Sequence, residues 1–353
     1  MSLYENALYK EDIDAVAALE LPWEMLCGRN ILISGATGLI GSFLVDVIMK
    51  KNQDGLNCTV YALGRSEQKA RERFDKWNGS KHLTFILYDI NQPFIRDDIG
   101  TVDYALHLAS NTHPVQYSTD PIGTITTNII GLQNMLEFAA IHNVTRFAFS
   151  SSNEIYGENR GDVELFDETY CGYINCNTMR AGYPESKRCG EALCQAYIKQ
   201  KGMDIVIPRL TRSYGPTMLM RDTKAISQFI RKGVAGEDIV LKSAGTQYYS
   251  YTYVADAVSG LLTVLLCGQR GEAYNIADTH GDIMMKDLAA IIAGASGSKV
   301  VFEVPDDIEK SGYSTATKVR LEGNKLKGLG WTMRYDIKTG VKRTLEILRE
   351  TRC

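Results

Sequence analysis

A glycine-rich turn between an apolar strand and an amphipathic helix is the feature that most limits how this chain folds. Residues 34–41 (SGATGLIG) follow the apolar run 31–34 and open a helix whose apolar residues share one face. The first glycine allows a tight turn, the second lets backbone approach a pyrophosphate, and the third lets the helix pack closely on the strand. The helix amino terminus also offers unpaired N–H groups to phosphate. The turn therefore predicts a dinucleotide site.

Most of the chain alternates short apolar runs with amphipathic helical stretches, which is typical of a parallel sheet covered by helices. The candidate strands are residues 31–34, 58–63, 83–88, 104–108 and 146–150. We expect a Rossmann-type, doubly wound α/β domain over residues 29–207, with residues 251–270 returning to it. Residues 1–28 are predicted to form a helical extension, and 208–250 with 271–353 a smaller mixed α/β lobe that binds the substrate.

Charge and composition argue against several classes of partner. A net charge of -3 and a pI near 6.0 give no electrostatic attraction to nucleic acid or to an anionic membrane. No apolar run is long enough to span a bilayer, and the acidic amino terminus lacks the features of a signal peptide. We therefore expect a cytoplasmic protein. The pairs Cys171/Cys176 and Cys189/Cys194 lack the CxxC spacing of a zinc site, so no metal is expected.

The ends of the second and third strands bear on which dinucleotide binds. An NAD site usually places an acid at the end of the second strand, where it binds the ribose 2′-hydroxyl. Here that end has Arg65, which suits the 2′-phosphate of NADP. Asp89 and Ile90 follow the third strand, where the adenine is expected. NAD and NADP both stay open, and Arg65 favours NADP.

Tyr183 and Lys187 are four residues apart and therefore share one face of a helix. A nearby ammonium and a cationic nicotinamide stabilise a phenolate, which lets Tyr183 act as general base towards a sugar hydroxyl. Residues 149–154 (FSSSNE) lie at the carboxyl end of a strand, where open parallel sheets bind ligands. From there Ser152 is placed to hydrogen-bond the reacting oxygen, and Glu154 to handle a proton elsewhere on the sugar.

In this order, the motifs resemble those of the extended short-chain dehydrogenases/reductases, in the NAD-dependent epimerase/dehydratase family of nucleotide-sugar enzymes. The likeness runs from about Arg29 to the end of the chain. Besides the motifs above, it is carried by residues 107–110 (HLAS), Asn128, Arg209, 214–216 (YGP) and 329–331 (LGW). It implies a nucleotide-sugar substrate, catalysis by Ser152, Tyr183 and Lys187, and a homodimer formed through two helices per subunit.

The motifs and the resemblance together predict which residues meet each ligand. The cofactor would be held by Gly35, Thr37, Gly38, Leu39, Ile40, Gly41, Arg65, Asp89, Ile90, Leu108, Ala109, Ser110, Asn128, Tyr183 and Lys187. The nucleotide sugar would meet Ser110, Asn153, Arg180, Arg209, Arg212 and Tyr249. Catalysis is assigned to Ser152, Glu154, Tyr183 and Lys187.

Within the family the chain is most similar to UDP-glucuronate decarboxylases, through residues 172–175 (GYIN) and 180–183 (RAGY). Glu154 matches decarboxylases and 4,6-dehydratases, whereas 4-epimerases generally lack it. The 4,6-dehydratases place an aspartate before this glutamate to protonate the departing 6-hydroxyl, and Asn153 cannot serve as that acid. We expect decarboxylation of a nucleotide uronate through a 4-keto intermediate. A dTDP-glucose-like 4,6-dehydratase, an epimerase and a non-catalytic NADP-binding scaffold are the alternatives.

Two departures from the family pattern concern the substrate's phosphates. Arg212 replaces the asparagine of an Arg-x-x-Asn-x-Tyr-Gly motif, and Tyr249 replaces an arginine that usually contacts them. One hypothesis is that Arg212 takes over the diphosphate contact, since guanidinium binds phosphate in a bidentate way. The alternative is that Arg212 pairs with a carboxylate. Tyr249 lies in a tyrosine-rich run that either stacks on a sugar or base or forms an amphipathic strand.

Overall fold

The structure, a computed structural model, describes residues 2–96, 99–112, 114–219, 221–303, 313–314 and 316–351. The strands are β1 (Asn30–Ser34), β2 (Thr59–Gly64), β3 (Leu83–Leu87), β4 (Tyr104–His107), β5 (Arg146–Phe149), β6 (Ser151–Ser152), β7 (Ile205–Leu210), β8 (Arg212–Tyr214), β9 (Ile239–Leu241), β10 (Tyr248–Tyr253), β11 (Ala273–Ile276), β12 (Asp282–Met284), β13 (Val300–Phe302) and β14 (Lys318–Val319). The five strands expected from the sequence before residue 150 are all present, with ends shifted by one residue.

The helices are α1 (Ala7–Ala17), α2 (Leu39–Gln53), α3 (Glu67–Arg73), α4 (Pro114–Thr119), α5 (Pro121–Ile141), α6 (Gly182–Lys201), α7 (Ala225–Ala235), α8 (Val254–Cys267), α9 (Met285–Ser296), α10 (Asn324–Lys327) and α11 (Ile337–Thr351). Single 3-10 turns lie at Leu3–Glu5, Trp23–Leu26, Asp75–Trp77, Asn153–Tyr156, Met179–Ala181 and Thr279–Gly281. Among these described helices, none combines the length and the apolar surface that a bilayer crossing needs.

Eight strands form one parallel sheet in the order β11-β7-β5-β4-β1-β2-β3, with β6 also paired to β7. Because Ile31, Leu32 and Ile33 of β1 are consecutive, apolar and buried, both faces of the sheet need a cover of helices. Ile31 and Ile33 belong to the core shared with α2 and α8, whereas Leu32 belongs to the core shared with α5 and α6. This arrangement confirms the predicted doubly wound α/β fold.

The chain reverses its direction across the sheet between β1 and β4, and this reversal opens a crevice at their carboxyl ends. Ser34, the last residue of β1, is in register with His107, the last residue of β4. The glycine turn and residues 108–110 therefore leave the sheet side by side. The glycine turn and residues 108–110 start from this edge, and residues 150–154 follow the neighbouring end of β5.

A second lobe is built from shorter elements after β7. In it β10 pairs with β8, β12 and β14, and β9 pairs with β13. The helices α7, α9 and α11 pack against one another beside these strands. The chain returns to the large sheet twice, through α8 and then through β11, which pairs with β7. Residues 273–276 thus lie in the Rossmann sheet, although the sequence pattern alone assigns them to the second lobe.

The first residues of the chain are tied to the Rossmann domain by a buried carboxylate. Asp46, on α2, is fully buried and accepts hydrogen bonds from Tyr4 at 2.6 Å, Tyr9 at 2.5 Å and Trp77 at 2.9 Å. Its charge is offset by Arg73, whose Nη2 lies 2.5 Å from Oδ2. A buried carboxylate with a cationic partner and several donors is stable only while the whole set stays together. The network therefore couples α1 to α2 and α3.

We expect Asp46→Ala to destabilise the protein by about 3–5 kcal/mol, because it leaves the buried charge of Arg73 without its carboxylate and the Tyr9 and Trp77 donors without an acceptor. The measurement is the free energy of unfolding in urea. The matched control is Asp54→Ala, which removes an exposed carboxylate paired with Lys50 at 3.3 Å and should change stability by less than about 1 kcal/mol. Equal effects of the two substitutions would contradict this assignment.

Candidate active site

The glycine turn forms a cradle in which backbone replaces side chains. Gly35 has a φ of +72°, and a Cβ added there would lie 2.7 Å from the backbone nitrogen of Ala109. A Cβ on Gly41 would lie 2.5 Å from the carbonyl oxygen of Gly35. Both distances are shorter than any normal carbon contact, so neither position accepts a side chain without movement of the backbone. The turn and the α2 amino terminus fit the pyrophosphate of a dinucleotide.

The other predicted cofactor residues surround this cradle. Ser110 Oγ donates to Asn128 Oδ1 at 2.7 Å, and Asn128 Nδ2 donates to Ser186 Oγ at 2.8 Å, which ties the end of β4 through α5 to α6. Gly35, Gly38, Leu39, Ile40, Gly41, Leu108, Ser110, Tyr183 and Lys187 all line one cavity. Asn128 is fully buried behind Ser110 and supports it. The structure therefore brings the phosphate-binding and nicotinamide-binding motifs together.

The predicted adenosine-binding residues lie beyond this cavity. Arg65 is exposed just after β2, and Thr37 Oγ1 lies near Gly64, the last residue of the same strand. Asp89 accepts a hydrogen bond from the backbone nitrogen of Asn91, and Ile90 is buried. All four lie at the carboxyl side of the sheet, but they are not among the described residues that line the cavity. Their roles remain predictions.

The cavity has a volume of about 390 Å³ and is bounded by both lobes. The Rossmann side contributes the glycine turn, residues 150–154 and α6, and the second lobe contributes residues from α7, β9 and β10. Lys224 and Lys242 also line it. Lys224 pairs with Asp222 at 2.9 Å and donates to Thr112 at 3.2 Å. A cavity shared by two lobes suits a ligand with two chemically different ends.

Lys187 is fixed beneath this cavity. Its Nζ donates to the carbonyl oxygen of Ser150 at 2.8 Å and lies 4.8 Å from the ring centroid of Phe149. Burial lowers the pKa of Lys187 to about 7, although nearby Cys194 and Glu191 raise it. The contact with the strand end places the ammonium group where Tyr183, one helical turn earlier, enters the same cavity.

Tyr183 is buried, and its phenol is surrounded by groups that act in opposite directions. Burial, and then the charge of Glu154, raises its pKa to about 12. Hydrogen bonds with Ser152 and Ser110 and the charge of Arg180 lower the pKa. In the protein alone, therefore, desolvation outweighs the cationic stabilisation expected from the sequence. The positive nicotinamide of a bound dinucleotide is what would restore an accessible phenolate.

Two arginines, Arg180 and Arg212, lie at different distances from the carboxylate of Glu154. Arg180 Nη2 lies 2.8 and 2.7 Å from the two carboxylate oxygens of Glu154. Arg212 Nη1 lies 3.9 Å from Oε1, outside normal hydrogen-bond distance. The guanidinium of Arg212 instead stacks on the ring of Tyr249, 3.8 Å from its centroid. Tyr249, which stands where the family usually has an arginine, is thus the residue on whose ring Arg212 stacks.

The structure does not bring Arg209, predicted from the sequence to bind the substrate, into the cavity. Its guanidinium pairs with both oxygens of Glu191, at 2.9 and 2.7 Å, and donates to the Tyr156 hydroxyl and to the carbonyl oxygen of Glu168. Arg209 is not among the described residues that line the cavity. With its donors used in this way, Arg209 supports the ends of β6 and β7 from behind. Ser110, Asn153, Arg180, Arg212 and Tyr249 do line the cavity.

Two residues that the sequence did not single out contribute to the site. The rings of Tyr117 and Tyr183 stack, with their centroids 5.0 Å apart. The guanidinium of Arg180 also lies over the Tyr117 ring, 4.6 Å from its centroid. Glu191 accepts a hydrogen bond from Ser151 at 2.5 Å. Glu191 lies four residues after Lys187 on α6, so the spacing could have indicated it. Nothing in the sequence pattern around Tyr117 indicates its role.

Comparison with known proteins gives this arrangement a family. Residues 31–277 match the model of the NAD dependent epimerase/dehydratase family. A UDP-glucuronic acid decarboxylase 3 of Arabidopsis thaliana is 32% identical over 318 residues, which cover 88% of this chain and 86% of the relative. A UDP-glucuronic acid decarboxylase 1 of Xenopus tropicalis is 31% identical over 329 residues, covering 91% and 72%.

Solved structures agree on the fold. A dTDP-glucose 4,6-dehydratase from Streptomyces venezuelae, solved with NAD bound, has a TM-score of 0.80 at 23% identity and covers 92% of this chain and 98% of its own. A UDP-glucuronic acid 4-epimerase from Bacillus cereus, solved with UDP-glucuronic acid and NAD, has a TM-score of 0.76 at 21% identity and covers 91% and 99%. These comparisons confirm the predicted enzyme class and the nicotinamide cofactor. The chain belongs to the NAD dependent epimerase/dehydratase family.

Proposed function

We propose that this protein decarboxylates a nucleotide uronate through a 4-keto sugar, the reaction class named for its curated relatives. The observation that carries the proposal is the chemistry beside Tyr183. Glu154 and two arginines line this part of the cleft, but Asn153 stands where loss of a 6-hydroxyl would need an acid. A carboxylate leaving group needs no proton in order to depart. The site therefore suits loss of CO2 better than loss of water.

The first step is oxidation at C4 of the sugar. Tyr183 takes the proton of the 4-hydroxyl, and Ser152 hydrogen-bonds the same oxygen. When bound beside Tyr183, NAD would supply the hydride acceptor, and its positive charge would lower the pKa of the phenol. Lys187, held by the carbonyl of Ser150, supports the phenolate and the nicotinamide ribose. Gly35 and Gly41 leave room for the pyrophosphate.

The second step is cleavage of the C5–C6 bond. A 4-keto group makes the C6 carboxylate part of a β-keto acid, so the bond's electron pair moves into the C4–C5 enolate as CO2 leaves. Ser152 and Tyr183 hydrogen-bond the oxygen on which negative charge develops. A proton from solvent then adds at C5. The reduced cofactor would supply the hydride that returns to C4, and Tyr183 gives its proton back to the C4 oxygen, which leaves a neutral sugar one carbon shorter.

The direct test is to incubate the purified protein with NAD and UDP-glucuronic acid and to determine the product mass. Loss of CO2 is the expected result, with UDP-glucose unchanged in a parallel reaction. Loss of water from a hexose nucleotide would instead identify a 4,6-dehydratase, and an isomer of unchanged mass an epimerase. Either result would overturn the proposal.

We expect Tyr183→Phe to lower kcat by at least about 100-fold, because it removes the proton acceptor of the oxidation step. Binding of UDP-glucuronic acid, measured by calorimetry, should change by less than about threefold. Tyr117→Phe is the matched control, since it removes a phenol oxygen from the same ring stack, and it should retain kcat within about tenfold. Comparable kcat for the two variants would exclude Tyr183 as the base.

We also propose that two copies of the chain associate through α5 and α6. These helices pack on each other, and α5 exposes Ile122 at 76%, Ile130 at 43% and Ile141 at 71% of their surfaces. Apolar side chains on one helix are commonly covered by a partner. A second copy offers the same surface in a two-fold arrangement.

Ile122→Asp should convert the dimer to a monomer in sedimentation experiments, because it places a charge in an apolar contact. The control is Ile95→Asp, since Ile95 is equally exposed at 76% but lies outside both helices. Thermal stability of the monomer fold should be retained in both variants, since neither side chain is buried. A wild-type protein that sediments as a monomer would refute the dimer.

A further inference from the structure

Arg212 reaches the cleft from a short strand of the second lobe. It begins β8, which pairs in parallel with β10 so that Arg212 is opposite Tyr251. The side chain is 19% exposed and lines the cavity together with Glu154, Arg180 and Tyr183. Its guanidinium therefore sits at the end of the cleft where the proposed chemistry takes place.

The guanidinium of Arg212 is positioned but incompletely satisfied. Stacking on Tyr249 fixes its plane at 3.8 Å from the ring centroid. Its buried Nε has no hydrogen-bond partner among the described residues. Its ion pair with Glu154 is long, with 3.9 Å between Arg212 Nη1 and Glu154 Oε1. Buried donors are normally paired. Since Arg212 lines the cavity and no described hydrogen bond uses its Nη groups, those groups are the donors that a ligand could contact.

The balance of charges in this part of the cleft indicates the charge of the ligand group that Arg212 would contact. The carboxylate of Glu154 is matched by Arg180, which contacts both of its oxygens. Asp222, which also lines the cavity, pairs with Lys224 at 2.9 Å. Arg212 thus adds a positive charge that these carboxylates do not offset at close range. A buried cation without a close partner is costly, and an anion on the substrate would reduce that cost.

We infer that Arg212 binds the C6 carboxylate of the sugar and thereby selects a uronate over a neutral sugar. The inference rests on the proposed function. C6 is attached to C5, next to the C4 on which Tyr183 acts, so groups beside Tyr183 and Glu154 are in reach of C6. A diphosphate contact, which the sequence suggests for Arg212, would place the phosphates at this reactive end instead.

The expected consequence separates binding from chemistry. An ion pair with Arg212 is made with the bound carboxylate and is lost as neutral CO2 forms, so it does not favour the bond-breaking step. Replacing Arg212 should therefore raise KM for UDP-glucuronic acid by about tenfold or more while kcat changes by less than about threefold. A purely structural role would lower stability and would not depend on the substrate's charge.

The test compares wild type, Arg212→Gln and Arg212→Lys, each loaded with NAD, in calorimetric titrations with UDP-glucuronic acid, UDP-xylose and UDP. The expected result is weaker binding of UDP-glucuronic acid by about tenfold or more in Arg212→Gln, with UDP-xylose and UDP within about threefold of wild type. Arg212→Lys should bind UDP-glucuronic acid with an affinity between those of wild type and Arg212→Gln, since lysine keeps the charge but not the planar guanidinium. Arg270→Gln, outside the cleft, is the control for loss of an arginine, and melting temperatures confirm that each variant is folded.

Each outcome decides the inference. Equal weakening of all three ligands would assign Arg212 to the diphosphate and overturn it, as would unchanged binding of UDP-glucuronic acid. Failure of the proposed function is seen separately, as absence of CO2 release by wild type. Selective loss of uronate binding without CO2 release would keep the role of Arg212 and reject decarboxylation. Wild type that does not bind UDP-glucuronic acid would reject both.

Discussion

The close approach of the β1–α2 turn to the end of β4 is the constraint on which the rest of the site depends. At Gly35 and Gly41 the backbone of one segment occupies the space where a Cβ would otherwise lie. The phosphate cradle, the Ser110–Asn128–Ser186 hydrogen bonds and the Tyr183–Lys187 face of α6 are all arranged around the crevice between β1 and β4.

An ion pair behind this crevice holds the ends of β6 and β7 in place. Arg209 and Glu191 form a buried bidentate pair, and Glu191 also accepts from Ser151, next to Ser152. Because Lys187 and Glu191 are on the same helix, the pair links the position of the ammonium to the strand that carries Ser152. A residue that resembles a substrate ligand in sequence thus has a supporting role in the structure.

At the reactive end of the cleft, this chain departs from the family's motif pattern at two positions. Tyr249 stands where an arginine is usual, and Arg212, on the neighbouring strand, stands where an asparagine is usual. The stacked contact between Arg212 and Tyr249 shows how the two changes fit together in space. Glu154 keeps Arg180 as its close partner, so the added charge of Arg212 is directed towards a ligand.

The sequence by itself determined the doubly wound fold, the cofactor class and the membership of Ser152, Tyr183 and Lys187 in one site. The fold, the cofactor class and the Tyr183–Lys187 pair follow from local rules, since glycine spacing, strand-to-helix order and the i, i+4 relation involve residues close together in the chain. The family resemblance adds Ser152 to the same site. Only the tertiary structure decided that Arg209 turns away from the cleft, that Tyr117 stacks on Tyr183, that β11 joins the large sheet and that Arg212 lies on Tyr249. Those contacts join residues from 18 to 66 positions apart, and their geometry depends on how distant strands pair and how burial competes with charge.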